Sequence, residues 1–378
     1  MAEKIICRGW KHMPNWENNV RKAVPYTPGE QPKIRDLIKL NTNENPYPPA
    51  PGVLDALRGL DGDSVRRYPD PASSALTEAI AKHCGVKAEN VFAGVGSDDV
   101  LAMSFLTFFA SGRPILFPDI TYSFYDVWAQ LFRIPFETQK LDGDFRIVNR
   151  DYYRENGGII FPNPNAPTGV LKDLPEVRDI LEHNRDVVVI VDEAYIDFAR
   201  DEASVNEHPP KTSALSLIGE FDNLLVVQTF SKSRSMAGMR IGYAVGSGKL
   251  IRYLNDAKYS FNSYTMNQAA IAAGCAALED EAYFTDCTAK IIRTRERIKK
   301  ELSLLGFTFQ DSAANFLFVT HAGISARKLF AALRSENILV RYFDKPRIDN
   351  YLRITIGTDD EMDKLVEFCK RYVEDAMA

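Results

Sequence analysis

Two charged residues stand at the ends of strongly apolar runs, and their side chains are chemically complementary. Lys232 comes shortly after residues 223–230 (NLLVVQTF), and Asp192 closes residues 186–192 (DVVVIVD). Runs of this kind are typical of buried parallel strands. Because ligands of open α/β sheets bind outside the carboxyl ends of the strands, both side chains are predicted to face one ligand crevice.

An amine and a carboxylate in such a crevice suit pyridoxal phosphate. Lysine forms a Schiff base with this cofactor, and an acid that keeps the ring nitrogen protonated turns the ring into an electron sink. Asp192 needs a cationic partner in any case, because burying an unpaired charge is costly. The alternative for Lys232 is a solvated surface lysine. The matching strand end at Asp192 argues against that alternative, so both residues are predicted to be catalytic.

A glycine turn at residues 94–99 (GVGSDD) precedes a predicted helix at residues 100–109. The start of a helix directs backbone N–H groups and the positive end of the helix dipole at a phosphate. The turn matches neither the dinucleotide fingerprint nor the Walker loop. Taken alone it leaves two interpretations open: a phosphate site, or an ordinary helix whose first turn carries Asp98 as a favoured acid.

Two further candidates follow predicted strands. Tyr122 comes after the strand at residues 113–117, where its ring can stack on a flat ligand; the alternative is an ordinary core tyrosine. Asn165 lies in the turn of residues 162–169 (PNPNAPTG), whose prolines and glycine can present it to a ligand. The sequence therefore predicts that several strand ends contribute to one site.

The order of the predicted elements indicates the fold class. Strands alternate with helices in residues 41–262, which predicts an α/β large domain with a mostly parallel, doubly wound sheet. The mixed order in residues 263–378 predicts a smaller α+β domain. Residues 1–40 are polar and punctuated by proline, so they form either a disordered tail or an arm that packs on another part of the protein.

Two local predictions are specific enough to be compared with the structure. The pattern of residues 73–83 predicts a helix capped by Ser73 or Ser74. Residues 338–342 are predicted to form one continuous strand of the smaller domain.

Composition excludes several classes of function. The 378 residues contain 46 Lys and Arg against 51 Asp and Glu, a net charge of -5, which argues against nucleic-acid binding. The five cysteines and five histidines lack the spacing of a zinc site, so no metal is predicted. No signal peptide or membrane-spanning apolar run is apparent, and the expectation is a cytoplasmic enzyme without a membrane partner.

Several blocks of the chain resemble those of a known family, in its order and at its spacing. They are PYTPGEQPK, LNTNENPYPPAP, RRYPDP, PNAPTG, VDEAYIDF, TFSKSRSMAGMRIGY and LRITIG. Over nearly its whole length the sequence resembles the fold type I pyridoxal-phosphate aminotransferases, and among them the histidinol-phosphate aminotransferases. The complete set of cofactor residues argues against a non-catalytic binding protein that has kept the same fold.

The resemblance implies a role for each candidate around the cofactor. Lys232 would form the Schiff base and, once released, move the proton between substrate and cofactor. Asp192 would pair with the pyridine nitrogen, and Tyr195 would donate to the phenolic oxygen. Tyr122 would stack on the ring. The residues implied to hold the cofactor phosphate are Gly96, Ser97, Asp98, Ser231 and Arg240.

One position departs from the family pattern. Most members read NNPTG, whereas this chain has Ala166 directly before the proline. Either Asn165 reaches the phenolic oxygen through a shifted backbone, which is the prediction adopted, or Tyr195 acts there alone. The resemblance also implies a homodimer with shared active sites, in which Tyr68 reaches the phosphate bound by the neighbouring subunit.

The resemblance further implies the reaction. It would be transamination between L-histidinol phosphate and 2-oxoglutarate, giving imidazole acetol phosphate and glutamate, a step of histidine biosynthesis. Arg353 would bind the anionic group of both substrates, while Arg341 and Tyr26 would help to bind histidinol phosphate. Threonine-phosphate decarboxylases and aromatic amino-acid aminotransferases share the cofactor motifs and are the alternatives.

Overall fold

The computed structural model describes residues 16–22, 24–33, 35–201, 204 and 206–377, so part of the predicted arm lies outside it. The strands are β1 (Ile38–Lys39), β2 (Val91–Gly94), β3 (Ile115–Pro118), β4 (Phe136–Gln139), β5 (Ile159–Pro162), β6 (Val189–Asp192), β7 (Leu224–Thr229), β8 (Gly242–Gly246), β9 (Phe307–Phe309), β10 (Phe316–His321), β11 (Ile338–Leu339), β12 (Arg341–Tyr342) and β13 (Leu352–Thr355). The α-helices are α1 (Pro51–Arg58), α2 (Gly62–Arg66), α3 (Ser74–Cys84), α4 (Ser97–Phe108), α5 (Tyr125–Phe132), α6 (Leu174–His183), α7 (Gly248–Phe261), α8 (Gln268–Glu279), α9 (Glu281–Leu304), α10 (Ala326–Ser335) and α11 (Asp359–Met377).

The largest sheet has seven strands in the order β2-β8-β7-β6-β5-β3-β4. Strand β8 runs antiparallel to both of its neighbours, and the other neighbouring strands are parallel. In the register of β6 and β7, Asp192 lies opposite Val227. The mostly parallel sheet predicted from the sequence is confirmed, and the carboxyl ends of β6 and β7 lie side by side.

Successive residues of the central strands enter cores on opposite faces of this sheet. Val189 and Val191 of β6 pack in one core with helices α3, α6 and α8, whereas Ile190 packs in another with α4, α5 and α7. The alternation follows from the two-residue period of a strand. Helices therefore cover both faces, which is the doubly wound arrangement that the apolar runs predict.

A second sheet contains four antiparallel strands in the order β12-β13-β10-β9. The predicted strand of residues 338–342 is wrong as one element, because it is divided at Val340. Its first half, β11, pairs in parallel with β1 from the predicted arm, and its second half, β12, pairs with β13. Leu40 and Val340 are both buried in the core of this part of the chain. The end of the arm is thus packed, while the proposed domain boundaries stay predictions.

Two helix starts differ from the sequence prediction. The side chain of Ser73 makes no capping hydrogen bond, because its backbone is left-handed at φ 53°; Asp70 Oδ2 instead accepts a hydrogen bond from Ser74 N at 2.7 Å. Helix α4 begins at Ser97, earlier than predicted. The acids at 98 and 99 therefore lie in its first turn, where the helix dipole favours negative charge.

Candidate active site

A cavity of about 400 Å³ opens at the carboxyl edge of the seven-stranded sheet. It is lined by many of the predicted cofactor residues, namely Ser97, Asp98, Tyr122, Asp192, Tyr195, Ser231, Lys232 and Arg240. These residues come from the end of β6, the segments that follow β3 and β6, the start of α4 and the loop between β7 and β8. The fold therefore brings together side chains that are far apart in sequence.

Lys232 reaches the cavity from the loop that follows β7. Its Nζ donates a hydrogen bond to the backbone oxygen of Thr42 at 2.9 Å. The same atom lies 5.8 Å from the centre of the Tyr195 ring. The amine is thus held beside the ring of Tyr195, in the cavity that Asp192 also lines.

Asp192 is 4% exposed and lies at the end of β6. Its Oδ2 accepts a hydrogen bond from the Tyr125 hydroxyl at 2.8 Å, and its Oδ1 accepts one from Ala194 N at 3.3 Å. Burial raises the pKa of Asp192 to about 6, against the opposing effect of these hydrogen bonds. No side-chain cation pairs with it in the described part of the chain. A protonated ring nitrogen would supply the positive partner, so this site fits the predicted cofactor.

The start of helix α4 and Arg240 form the other end of the cavity. Arg240 Nη1 lies 3.4 Å from Ser231 Oγ, and its Nη2 lies 3.5 Å from Asp98 Oδ2. Gly96 has a φ of 86°, and a Cβ atom there would lie 2.5 Å from Arg240 Nη2. Glycine thus allows the guanidinium to approach the helix start. Hydroxyl, guanidinium and helix-start N–H groups are the donors that a phosphate needs.

The two predicted aromatic residues make different contacts. Tyr122 lines the cavity, and its hydroxyl donates a hydrogen bond to Asp98 Oδ1 at 2.7 Å. Tyr195 also lines the cavity, and its hydroxyl accepts a hydrogen bond from Asn43 Nδ2 at 2.9 Å. Asp98 is therefore engaged both as a helix-terminal acid and as a member of the cavity wall.

Asn165 is not among the residues that line the cavity. Its Nδ2 donates to Ile120 O and to Thr168 Oγ1, both at 3.0 Å, and its Oδ1 accepts from Thr121 Oγ1 at 3.2 Å. The side chain thus holds its own loop, and the cavity wall is formed by Ala166. The contact predicted between Asn165 and the phenolic oxygen stays a prediction, and Tyr195 acting there alone stays the alternative.

Tyr68 lies on the surface, outside the cavity. Its side chain is 81% exposed, and its ring stacks on Tyr264 with the ring centres 4.6 Å apart. It does not meet the cofactor residues of its own chain. Its predicted contact with a neighbouring subunit stays a prediction.

The arginines predicted to bind substrate face each other across two strands. Arg341 of β12 lies opposite Arg353 of β13. Arg353 Nη2 donates to the backbone oxygen of Asn41 at 2.9 Å, while its buried Nε has no hydrogen-bond partner within the described ranges. Burial lowers the pKa of Arg353, and the charge of Arg341 acts in the same direction. Two neighbouring cations of this kind favour an anionic ligand.

A second cavity, of about 630 Å³, is lined by Arg341 and by residues of the arm. Its wall includes Tyr26, Arg341 and Phe343. Tyr26 stacks on Phe124 with the ring centres 4.3 Å apart, so this part of the arm packs against the start of α5. Two of the three predicted substrate residues, Tyr26 and Arg341, thus line this cavity, and the third, Arg353, lies opposite Arg341 on the neighbouring strand.

Sequence reasoning missed four residues that contact the site. Tyr125 contacts Asp192, and Thr42, Asn43 and Glu44 either line the cavity or contact residues that do. In the sequence analysis the block LNTNENPYPPAP serves only as one of the blocks that resemble the family. Its dense run of amide and hydroxyl side chains was the available signal, since such groups serve as hydrogen-bond partners in a buried site.

Over the described ranges, no group of three or more His, Cys, Asp or Glu side chains is arranged to hold a metal ion. Within the same ranges, none of the helices has both the length and the apolar character needed to cross a membrane.

Comparison with known proteins agrees with this geometry. The model of the family described as aminotransferase class I and II matches residues 35–368. A histidinol-phosphate aminotransferase from Clostridium beijerinckii is 49% identical over 352 residues, covering 93% of this chain and 95% of that protein. One from Lactococcus lactis is 47% identical over 360 residues, covering 95% and 98% of the two chains.

A solved structure shows the same fold. The histidinol-phosphate aminotransferase of Sinorhizobium meliloti, in complex with pyridoxal-5'-phosphate, superimposes with a TM-score of 0.79 at 27% identity, covering 89% of this chain and 91% of that one. With the family model and two relatives matched over nearly their full lengths, the chain belongs to the class I and II aminotransferases, and within them to the histidinol-phosphate aminotransferases.

Proposed function

We propose that this enzyme uses pyridoxal phosphate to transfer an amino group between L-histidinol phosphate and 2-oxoglutarate, giving imidazole acetol phosphate and glutamate. Identities of 47% to 49% with histidinol-phosphate aminotransferases favour this reaction over threonine-phosphate decarboxylation or transamination of aromatic amino acids. The reaction is a step of histidine biosynthesis, and we place it in the cytoplasm.

The observation that carries the substrate assignment is the arginine pair. Arg341 and Arg353 lie side by side, and neither forms an ion pair with a carboxylate in the described part of the chain. A guanidinium stays charged and presents a planar fork to either a phosphate or a carboxylate. The proposed substrates carry these two anions in turn, so one pair of arginines can serve both half-reactions.

Each of the residues in the first cavity has a separate role toward the cofactor. Bound pyridoxal phosphate supplies an electron sink for the pair of electrons left when the substrate loses its α-proton. Asp192 keeps the pyridine nitrogen protonated, and Tyr195 donates a hydrogen bond to the phenolic oxygen. Lys232 would hold the cofactor, and its Nζ would carry the proton that the substrate loses.

The phosphate and the ring are held by a separate set of contacts. Ser231, Arg240 and the start of α4 from Gly96 to Asp98 bind the phosphate, where the helix dipole and the guanidinium both favour negative charge. Tyr122 covers the ring. These groups would hold the cofactor at its phosphate and at its ring, which would orient it relative to the amine of Lys232.

We also propose a homodimer in which Tyr68 contacts the phosphate bound by the second subunit. The exposed ring of Tyr68, which rests on another exposed tyrosine, Tyr264, supports this role. The large domain of residues 41–262 and the small domain of residues 263–378 form the two walls of the site in this proposal.

Single-turnover kinetics of the two half-reactions test the substrate assignment. A charge-assisted hydrogen bond contributes roughly 1.5–3 kcal/mol, so Arg353→Ala should slow both half-reactions by about one to two powers of ten. Arg341→Ala should slow mainly the reaction with histidinol phosphate. Arg58→Ala removes an exposed arginine whose ion-pair partner among the described residues is Asp55 on the same helix, and serves as the control.

Two results would count against the assignment. If both variants process histidinol phosphate at the wild-type rate, the phosphate binds elsewhere. If the protein releases carbon dioxide from threonine phosphate and shows no turnover that depends on glutamate, it is a decarboxylase.

A further inference from the structure

Three consecutive residues after β1 contact predicted site residues, each with a different polar atom. The contacts, all of 2.9 Å, are Asn41 O with Arg353 Nη2, Thr42 O with Lys232 Nζ, and Asn43 Nδ2 with Tyr195 Oη. Asn43 differs from the other two because its side chain, and not its backbone, makes the contact. The contact with Tyr195 therefore depends on which side chain stands at position 43.

Asn43 is held rigidly. It is 1% exposed and has a left-handed backbone with a φ of 58°. Its backbone N donates to Thr355 Oγ1 at 3.0 Å, and its backbone oxygen accepts from Asn315 Nδ2 at 3.1 Å. A left-handed conformation is uncommon for residues other than glycine, but asparagine tolerates it better than most.

The same contacts fix which way the amide of Asn43 points. Thr355 Oγ1 accepts the backbone N–H of Asn43, so its own proton is free to be donated to Asn43 Oδ1, 3.0 Å away. With Oδ1 occupied in this way, Nδ2 faces Tyr195. An amide nitrogen only donates, so the Tyr195 hydroxyl must accept from it.

We propose that Asn43 is a positioning residue that turns the hydroxyl proton of Tyr195 toward the cavity. Once its oxygen accepts from Asn43 Nδ2, Tyr195 can direct its hydroxyl proton only elsewhere, and Tyr195 is one of the residues that line the cavity. This inference rests on the proposed function, in which Tyr195 donates to the phenolic oxygen of pyridoxal phosphate. It adds the residue that makes Tyr195 a donor there.

The direction of the Tyr195 hydroxyl can be measured, because a hydrogen bond donated by Tyr195 stabilises the anionic form of the phenolic oxygen. When this hydrogen bond is lost, the bound cofactor takes up a proton at a higher pH. The other charged or titratable groups next to Tyr195 are contributed by different elements and stay unchanged in the variants below; they are Lys232, Arg353, Tyr122 and Tyr125.

The test is a pH titration of the visible absorption band of the purified holoenzyme. Tyr195→Phe removes the donor and should raise the midpoint by about one pH unit or more. Asn43→Asp places a carboxylate where the amide nitrogen was, so the hydroxyl should donate to it instead; the midpoint should rise by a similar amount. Asn350→Asp makes the same exchange at an exposed loop position and should leave the midpoint unchanged.

A double variant separates the direction of the hydroxyl from the added charge. In the Tyr195→Phe background, Asn43→Asp should cause little further change. If it raises the midpoint there as much as in the wild type, the carboxylate acts through its charge alone and the proposal is overturned. The proposal also fails if Tyr195→Phe raises the midpoint and Asn43→Asp does not.

Failure of the proposed function gives a different result: Tyr195→Phe itself leaves the midpoint unchanged. If Asn43→Asp does not fold, Asn43→Gly decides the question, because glycine accepts the φ of 58° and removes the amide. It should raise the midpoint in the wild-type background and leave it unaltered in the Tyr195→Phe background. Equal shifts in the two backgrounds, or none in either, would overturn the proposal.

Discussion

Replacing Asp192 with asparagine should stabilise the cofactor-free protein while impairing cofactor binding. Burial raises the pKa of Asp192 from 3.8 to about 6 in the folded protein. A folded-state pKa above the unfolded value means that the folded protein is most stable while the group is protonated. Stability is therefore lost as the pH rises from about 4 through about 6, whereas asparagine does not titrate.

The size of the effect follows from the two pKa values. The difference between 3.8 and about 6 corresponds to about 3 kcal/mol, which is the upper limit of the stabilisation by Asp192→Asn at pH 8. Between pH 8 and pH 5 this advantage should narrow by about 1.4 kcal/mol, because the folded carboxyl becomes protonated. Asparagine can keep both contacts, its oxygen with Ala194 N and its nitrogen with Tyr125 Oη.

Urea unfolding of cofactor-free protein at the two pH values, at equal protein concentration, measures the difference. Glu193 is also buried and its pKa is raised to about 7, but it is present in both proteins and its effect cancels. Adding pyridoxal phosphate should make the wild type the more stable of the two proteins, since only its Asp192 pairs with the ring nitrogen. A variant that is less stable at pH 8, or an advantage that does not change with pH, would refute this reasoning.

Three further substitutions test the rest of the site. Gly96→Ala places a Cβ atom 2.5 Å from Arg240 Nη2 at a φ of 86°, so cofactor affinity in a fluorescence titration should fall about tenfold or more; an unchanged affinity would contradict the phosphate assignment. Tyr125→Phe removes the 2.8 Å hydrogen bond to Asp192 and should also weaken cofactor binding by about tenfold or more, with wild-type affinity the contrary result. Tyr68→Phe should lower the cofactor affinity of the dimer, whose presence sedimentation velocity can establish. A monomer with full activity would rule out shared active sites.

Much of the site was determined by the local sequence. Apolar runs that end in Asp192 and before Lys232 predict buried parallel strands, and the carboxyl ends of such strands meet at one edge. The glycine turn at Gly96 predicts a helix start beside them. These features depend on patterns within a few residues, which is why the cofactor cavity could be predicted before the fold was known.

The tertiary structure alone decided which partners surround these residues. Thr42 and Lys232 are 190 positions apart in the chain, and no local pattern predicts their hydrogen bond. Val340 divides what looks like one strand, because the segment on either side pairs with a different sheet. The hydrogen bond between Asn43 and Thr355 likewise forms only because β13 packs beside the segment that follows β1. Hydrophobic periodicity specifies which face of an element is buried, but the contacts between distant segments arise only when the whole chain packs.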